Sequence, residues 1–245
     1  MSLSQKEDEK LAKIIEREPN VTIFLQPIAP PGALGLAGFA GSTWITATWI
    51  ARWWGNPDSP TIFFPFVAFW GGLAQFIAGL QGFKARDVLV TVLNTMWGSF
   101  WMSVGLATGA LPAHNIYQHF PELASWMVVL AMTTWSCAIA ATARDLVLAL
   151  LLFSLAIGTT IACCLYASGA DSIRAGVKAA AYFWIISAAL AWWRVTVYLV
   201  EEAYGPKSKV AKFFPIFRTS TESRAPLIVP GLGEPGVKRG MPGVI

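Results

Sequence analysis

Between residues 32 and 199 the chain alternates long apolar stretches with short polar connectors. The stretches fall near 32–54, 62–81, 88–110, 123–142, 146–167 and 176–199, six in all. Crossing a hydrocarbon core of about 30 Å takes about 20 helical residues, and each stretch is long enough. Their apolar residues run on continuously instead of alternating. A bilayer admits only helices or closed barrels, so the pattern predicts helices. The expected fold class is an all-α membrane protein with six transmembrane helices per protomer. Residues 1–29 and 201–245 read as polar tails flanking a membrane domain over 30–200. The connectors "GNPDSPT" (55–61), "GFKARD" (82–87), "LPAHNIYQHFPE" (111–122), "ARD" (143–145) and "SGADSIR" (168–174) are turn-rich or nearly minimal.

Composition agrees. The chain is 55% hydrophobic and 13% charged, against about 25% charged in a soluble domain. The net charge of +4 is no nucleic-acid signal, because the basic residues gather in the tails and a few loops. Lys6, Lys10, Lys13, Arg17, Lys84, Arg86, Arg144 and the basic residues from Lys207 onward fall on one side, and only Arg52, Arg174 and Lys178 on the other. The excess marks the cytoplasmic side, so both termini are expected there. The first two dozen residues lack the apolar core of a cleaved signal, which makes the first span the insertion signal. The Asn20-Val21-Thr22 sequon then stays cytoplasmic and unmodified.

Most of the tryptophans, Trp49, Trp53, Trp54, Trp192 and Trp193 among them, read as interfacial belt anchors. Arg194, near the cytoplasmic end of the last span, is expected to snorkel to the interface. Cys137, Cys163 and Cys164 lie in apolar segments without metal-ligand spacing and read as packed thiols. In the N-terminal tail, "SQKEDEKLAKIIERE" (4–18) opens on a capping-box pattern, Ser4 with Glu7, and fits either a short amphipathic helix or solvated charge. The C-terminal tail is expected to lie loosely on the cytoplasmic face.

The spans hold little reactive chemistry. Asp58, Asp87, Glu122, Asp145 and Asp171 all sit in loops or at helix ends. No nucleophile–base pair, nucleotide loop or metal cluster is visible, so neither an enzyme nor a cofactor is expected. His114, His119 and Glu122 share one connector, as a polar loop or a small ion site. Milder polar residues remain, including Thr43 and Thr46 in the first span, Gln75 in the second, Asn94, Thr95 and Ser99 in the third, and Ser154 in the fifth. Ser and Thr mostly bond their own helix backbone. The amides of Gln75 and Asn94 need partners in a bilayer, either as helix glue or along a polar path. At the first span, "PIAPPGALGLAGFAG" (27–41) places Pro31 at the first helical turn and glycines at 32, 35, 38 and 41. Proline is tolerated at that turn. The free N–H groups of Gly32, Ala33 and Leu34 then make a polarised end that favours small anions. The glycine row favours close helix packing, with Phe39 one turn above Gly35.

"FWGGLAQFIAGLQGFK" (69–84) followed by "WGSFWMSVGL" (97–106) resembles the acetate uptake transporter family, which includes bacterial succinate–acetate permeases and fungal proteins named for ammonia and acetate transport. The family's Asn-Pro-Ala-Pro-Leu-Gly-Leu hallmark is matched in part by Pro30-Pro31-Gly32-Ala33-Leu34-Gly35-Leu36, and Gly38-Phe39 follows as in the family. The leading Asn, the middle Ala and the second Pro are absent; the tail "KFFPIFR…RAPLIVPGLGEPG" resembles filamentous-fungal members. The resemblance spans roughly residues 30–200. It implies a homohexamer in the plasma membrane, each protomer with its own pore for small monocarboxylates, acetate above all, and a narrow apolar girdle at mid-membrane. Carried over, Phe39 matches one girdle position, Trp97 replaces the usual Tyr, and the fifth-helix position falls on Phe153 or Leu155, depending on the alignment.

The expected function is therefore a channel or transporter for acetate-like acids. Leu34, Gly35, Leu36, Thr43, Gln75, Asn94, Thr95 and Ser154 are the expected substrate path. With no buried acid, proton coupling (symport) would ride on the substrate. Two rival readings are ammonium or ammonia transport, which a cation-π box of Trp97, Trp101 and Phe39 would suit but the want of an acidic mouth disfavours, and a non-transporting scaffold or sensor whose pore Trp97 closes. Partners are the substrate, protons, the lipid membrane and further copies of the chain, with no nucleic acid.

Overall fold

The computed structural model describes residues 29–85, 87–110, 122–168 and 175–220. Among these the chain is helical: α1 Pro31–Ile50, α2 Pro60–Ala85, α3 Val88–Ala110, α4 Glu122–Ala141, α5 Leu146–Ala167 and α6 Ala175–Tyr204, with a 3₁₀ turn at Ala211–Phe213. The apolar stretches read from sequence thus each fall on one long helix. Five of them, α2 to α6, are long and apolar enough to cross a membrane. α1 is as long as α4 but richer in Gly, Ser and Thr, and most of it is buried against α2, α3 and α6. A helix clothed by protein needs less apolar surface than one facing lipid. Outward-facing side chains on the others are large and apolar, including Ile62, Phe69, Phe83, Leu106, Met132 and Ile139. Such continuous exterior suits hydrocarbon and not water.

α2 is not regular. Pro65 interrupts its first turns, and Ala68–Leu73 winds as a π-helix before α-geometry resumes. A helix-interior proline removes a backbone donor, and π-turns absorb such breaks. The widened turn lies against α1 and α3 at glycines. A Cβ on Gly38 would stand 2.5 Å from the Trp70 carbonyl oxygen, and one on Gly98 would stand 2.6 Å from the Phe76 nitrogen. Backbone meets backbone there, as the glycine row predicts.

Tryptophan–threonine hydrogen bonds tie the helices together. Trp97 donates to Thr134 Oγ1 (3.1 Å, α3 to α4), Trp135 to Thr160 Oγ1 (3.1 Å, α4 to α5) and Trp184 to Thr159 Oγ1 (3.3 Å, α6 to α5). Thr159 and Thr160 spend their own hydrogens on backbone carbonyls one turn back, which leaves a lone pair facing each indole. The belt reading therefore does not extend to Trp135 and Trp184, whose N–H groups serve the interior; Trp97 and Trp101 are buried as well. Trp53 and Trp54 do remain exposed. Cys137 is a packed thiol and Cys163 half-buried, but Cys164 is exposed.

The end of the bundle that carries the α2–α3 and α4–α5 turns is held by buried ions. Ala-Arg-Asp occurs twice, at 85–87 and 143–145. Each Asp caps the following helix, Asp87 Oδ1 accepting from Val90 N (3.0 Å) and Asp145 Oδ1 from Leu148 N (2.8 Å). Arg144 forks onto Asp87 at 2.6 and 3.1 Å. Arg194 donates twice to Asp145 Oδ2, at 2.8 and 3.0 Å, and once to the Tyr198 hydroxyl. Arg194 is only 5% exposed, so it does not snorkel; a carboxylate on the neighbouring helix captures it first. The start of the C-terminal tail is not loose either. Leu146 N donates to Ile216 O, Thr219 N donates to Arg144 O, and Ile216 is buried against Val147 and Val197. Arg218 pairs with Glu201 at 2.7 Å, partly in solvent. The predicted amphipathic segment at 4–18, the Asn20 sequon, His114 and His119 lie outside the described residues.

Removing one partner of a buried pair costs about 3–5 kcal/mol, whereas an exposed pair contributes about 0–1 kcal/mol. Arg194→Met should therefore lower the thermal midpoint in detergent well below that of Arg218→Met. Equal midpoints would show that the Asp145 pair does not stabilise the fold.

Candidate functional site

At the end opposite the ion pairs the helices part around a cavity of about 330 Å³. α3 supplies one stripe to its wall, Trp97, Phe100, Trp101, Val104 and Ala107, at the three- and four-residue spacing of a single helical face. Glu122, in the first turn of α4, and Tyr166, near the end of α5, mark the rim. Trp97, Leu155 and Thr43 are the lining residues furthest from that rim along α3, α5 and α1, and they form the floor.

Behind the floor stands Phe39, 3% exposed, its ring edge-on to Trp97 with centroids 6.2 Å apart. Phe39, Trp97 and Leu155 belong to one buried apolar cluster. The indole of Trp97 cannot swing freely, because its N–H is spent on Thr134, which is fully buried. Phe153 packs against the same cluster from outside the cavity wall, half-buried with its ring 5.8 Å from that of Trp135. Of the two fifth-helix positions, Leu155 lines the cavity with Trp97 and Phe153 does not.

The remaining path residues scatter. Thr43 is in the cavity. Asn94 lies beyond the floor, its Nδ2 donating to Val90 O (2.9 Å) and its amide filling the notch at Gly35. Leu36 is buried in the apolar cluster, whereas Leu34 is exposed. Thr95 bonds Thr91 O (2.7 Å) and packs where Gly79 brings α2 against α3. Ser154 is half-buried and does not line the cavity. Gln75, 1% exposed, keeps an amide oxygen with no partner among the described residues.

Sequence reasoning missed Thr46 as a site residue, and missed what the cavity leaves unpaired: the Trp101 N–H and the hydroxyls of Thr43 and Thr46 line it and find no partner among the described residues. The spacing of Trp97 and Trp101, four apart in a helix, was the available signal. Glu122 places a carboxylate at the rim, which overturns the expectation that the mouth has no acid; only the packing of α4 beside α3 reveals it. No Lys, Arg or His of the described residues lines the cavity.

Residues 17–208 match the GPR1/FUN34/yaaH family. The chain belongs to that family. It is 34% identical over 73 residues to the "Glyoxylate pathway regulator" of Yarrowia lipolytica (strain CLIB 122 / E 150), a match covering 30% of this chain and 27% of that one. It is also 34% identical over 77 residues to "Ammonia transport outward protein 2" of Saccharomyces cerevisiae (strain ATCC 204508 / S288c), covering 31% and 27%. These matches span about a quarter of each curated relative. Among solved structures, the bacterial acetate channel SatP shares the fold with a TM-score of 0.62 at 22% identity, over 73% of this chain and 96% of that one. Five membrane-length helices and the family place the chain among multi-pass integral membrane proteins.

An indole N–H left unpaired in this interior costs about 1–3 kcal/mol. Thr134→Val should therefore destabilise the protein by about that amount, and Trp97→Phe should also destabilise it, since it orphans the buried Thr134 hydroxyl and empties part of the ring site. The double variant should cost less than the sum of the two. Strict additivity in a thermal or denaturant series would show that the pair is not coupled.

Proposed function

We propose that this family member is a membrane channel or transporter passing small monocarboxylic acids, acetate-like in size, through each protomer. α1 would be the sixth span, and both tails would lie on the cytoplasmic side of the plasma membrane. The reading rests above all on one observation, an apolar cavity without basic side chains that ends on Trp97 and Leu155, with Phe39 behind. The printed name of the structural relative SatP supports the same substrate class.

Charge decides which form crosses. A carboxylate moved into such a cavity without a cation loses hydration worth several kcal/mol even after relaxation. Inward movement as an anion also opposes an inside-negative potential by about 2.3 kcal/mol per 100 mV. The neutral acid carries neither cost. It enters past Glu122, meets the unpaired hydroxyls, and passes the floor when the Phe39–Trp97 contact yields. Proton coupling then travels with the substrate and needs no buried carboxylate of the protein. Phe39, Trp97 and Leu155 act as a dewetting gate. Asn94, on its far side, offers the next polar contact.

Ammonium or ammonia is the second reading. Glu122 at the rim and the rings of Trp49, Phe100 and Trp126 in the wall would suit a small cation. Protein-dependent uptake of labelled acetate into liposomes separates the two. Above the carboxyl pKa, about 4–5, the neutral acid rises about tenfold for each unit of pH lost, so uptake should climb steeply from pH 7 to pH 5. Phe39→Ala should admit longer acids that the native protein excludes. Uptake that is flat with pH and inhibited by methylammonium would favour the cation; no protein-dependent flux of either would return the closed-pore scaffold.

A further inference from the structure

Three unpaired polar groups sit in this one cavity, and a carboxylic acid has the complementary set. Thr43 and Trp101 are each 4% exposed, and the Thr46 hydroxyl oxygen is fully enclosed. None of the three has a hydrogen-bond partner among the described residues, although all three line the cavity. Elsewhere in the bundle the same residue types are satisfied. Thr48, Thr95, Thr159 and Thr160 donate to backbone carbonyls, and Trp97, Trp135 and Trp184 donate to threonines. Buried polar groups left without partners cost free energy, so three in one hollow mark a place where something else completes them.

We propose that Thr43, Thr46 and Trp101 form a recognition subsite for the protonated carboxyl group, on the rim side of the Trp97 floor. The assignment rests on the monocarboxylic acid reading above. An indole N–H only donates, and a hydroxyl both donates and accepts. A neutral carboxyl offers one carbonyl acceptor and one O–H donor. Trp101 therefore donates to the carbonyl oxygen, and a threonine accepts from the acid O–H. The second threonine donates to either oxygen. Ammonium fits badly, since it has no acceptor and leaves the Trp101 N–H unpaired. The small apolar remainder of the acid meets Ala47 and Leu155, which line the same cavity. The other titratable groups lining the cavity are Glu122 and Tyr166. Neither a carboxyl nor a phenol can carry positive charge, and both belong to the rim end of their helices, away from the subsite.

The test measures binding separately from flux. Saturation-transfer NMR on the purified full chain in detergent follows acetate at pH 5 and pH 7, with methylammonium as a second probe. The subsite predicts saturable acetate binding that is tighter at pH 5. It should weaken roughly five- to tenfold in Trp101→Phe and in Thr46→Val, the cost of one hydrogen bond each. Thr46→Ser keeps the hydroxyl and should restore it, which a merely structural role for Thr46 would not require. Native affinity in both Trp101→Phe and Thr46→Val overturns the subsite, while pH-dependent uptake in liposomes would still stand. Methylammonium binding that depends on Trp101 overturns it too, as does the absence of saturable acetate binding to the native protein. Acetate binding that follows this pattern in a protein without flux would support the subsite and refute the transport reading alone.

Discussion

In a medium without water, every polar group must find its partner inside the protein. That constraint organises this molecule. Indoles meet threonine hydroxyls whose own hydrogens are committed to the backbone, and Arg144 and Arg194 at the turn end each meet a helix-capping aspartate. The capping aspartates do double service: one carboxylate both closes a helix N-terminus and neutralises a guanidinium on another helix. The result is an end of the bundle with its turns and the start of the C-terminal tail fastened to one another, and an opposite end left open as a cavity.

The two ends divide the labour. Buried ion pairs are stabilising only when geometry is good and each lone pair is used, and at the turn end it is. Among the described residues the cavity end has no such network. Its walls are mostly apolar, the polar groups of Thr43, Thr46 and Trp101 find no partner among the described residues, and its floor is an aromatic contact fixed from behind by Thr134. A rigid frame that gathers unspent hydrogen-bonding capacity in the wall of one cavity is preorganised for a small guest. The π-turn in α2 belongs to the same logic: glycines at 38 and 98 let three helices approach closely enough to hold α1 in the middle.

Much of this architecture was legible in the sequence. Continuous apolar runs of bilayer length located each helix, and Pro31 and the glycine row announced a tightly packed α1, because both signals are local. What escaped was long-range. Asp87 and Arg144 are 57 residues apart, and Asp145 and Arg194 are 49 apart, so no periodicity pairs them and Arg194 read as a snorkelling residue. The choice between Phe153 and Leu155 is a matter of which side of α5 faces α3, and a helix apolar on all sides does not disclose that. Thr46 looked like any backbone-bonded threonine. Only the packed structure distinguishes it from Thr48, which does bond its helix. Glu122 likewise acquires meaning from its neighbours and not from its place in a loop-like segment.

The central claim is that the interior cavity of the single chain is the route of passage. Ala107 lines it near the rim and is half-buried, so Ala107→Cys, in a background with Cys137, Cys163 and Cys164 replaced, offers one attachment point there. Acetate uptake by that variant in liposomes, before and after complete labelling with a bulky maleimide, tests the route directly. The account predicts that labelling abolishes protein-dependent uptake. Undiminished uptake by the fully labelled protein would contradict it.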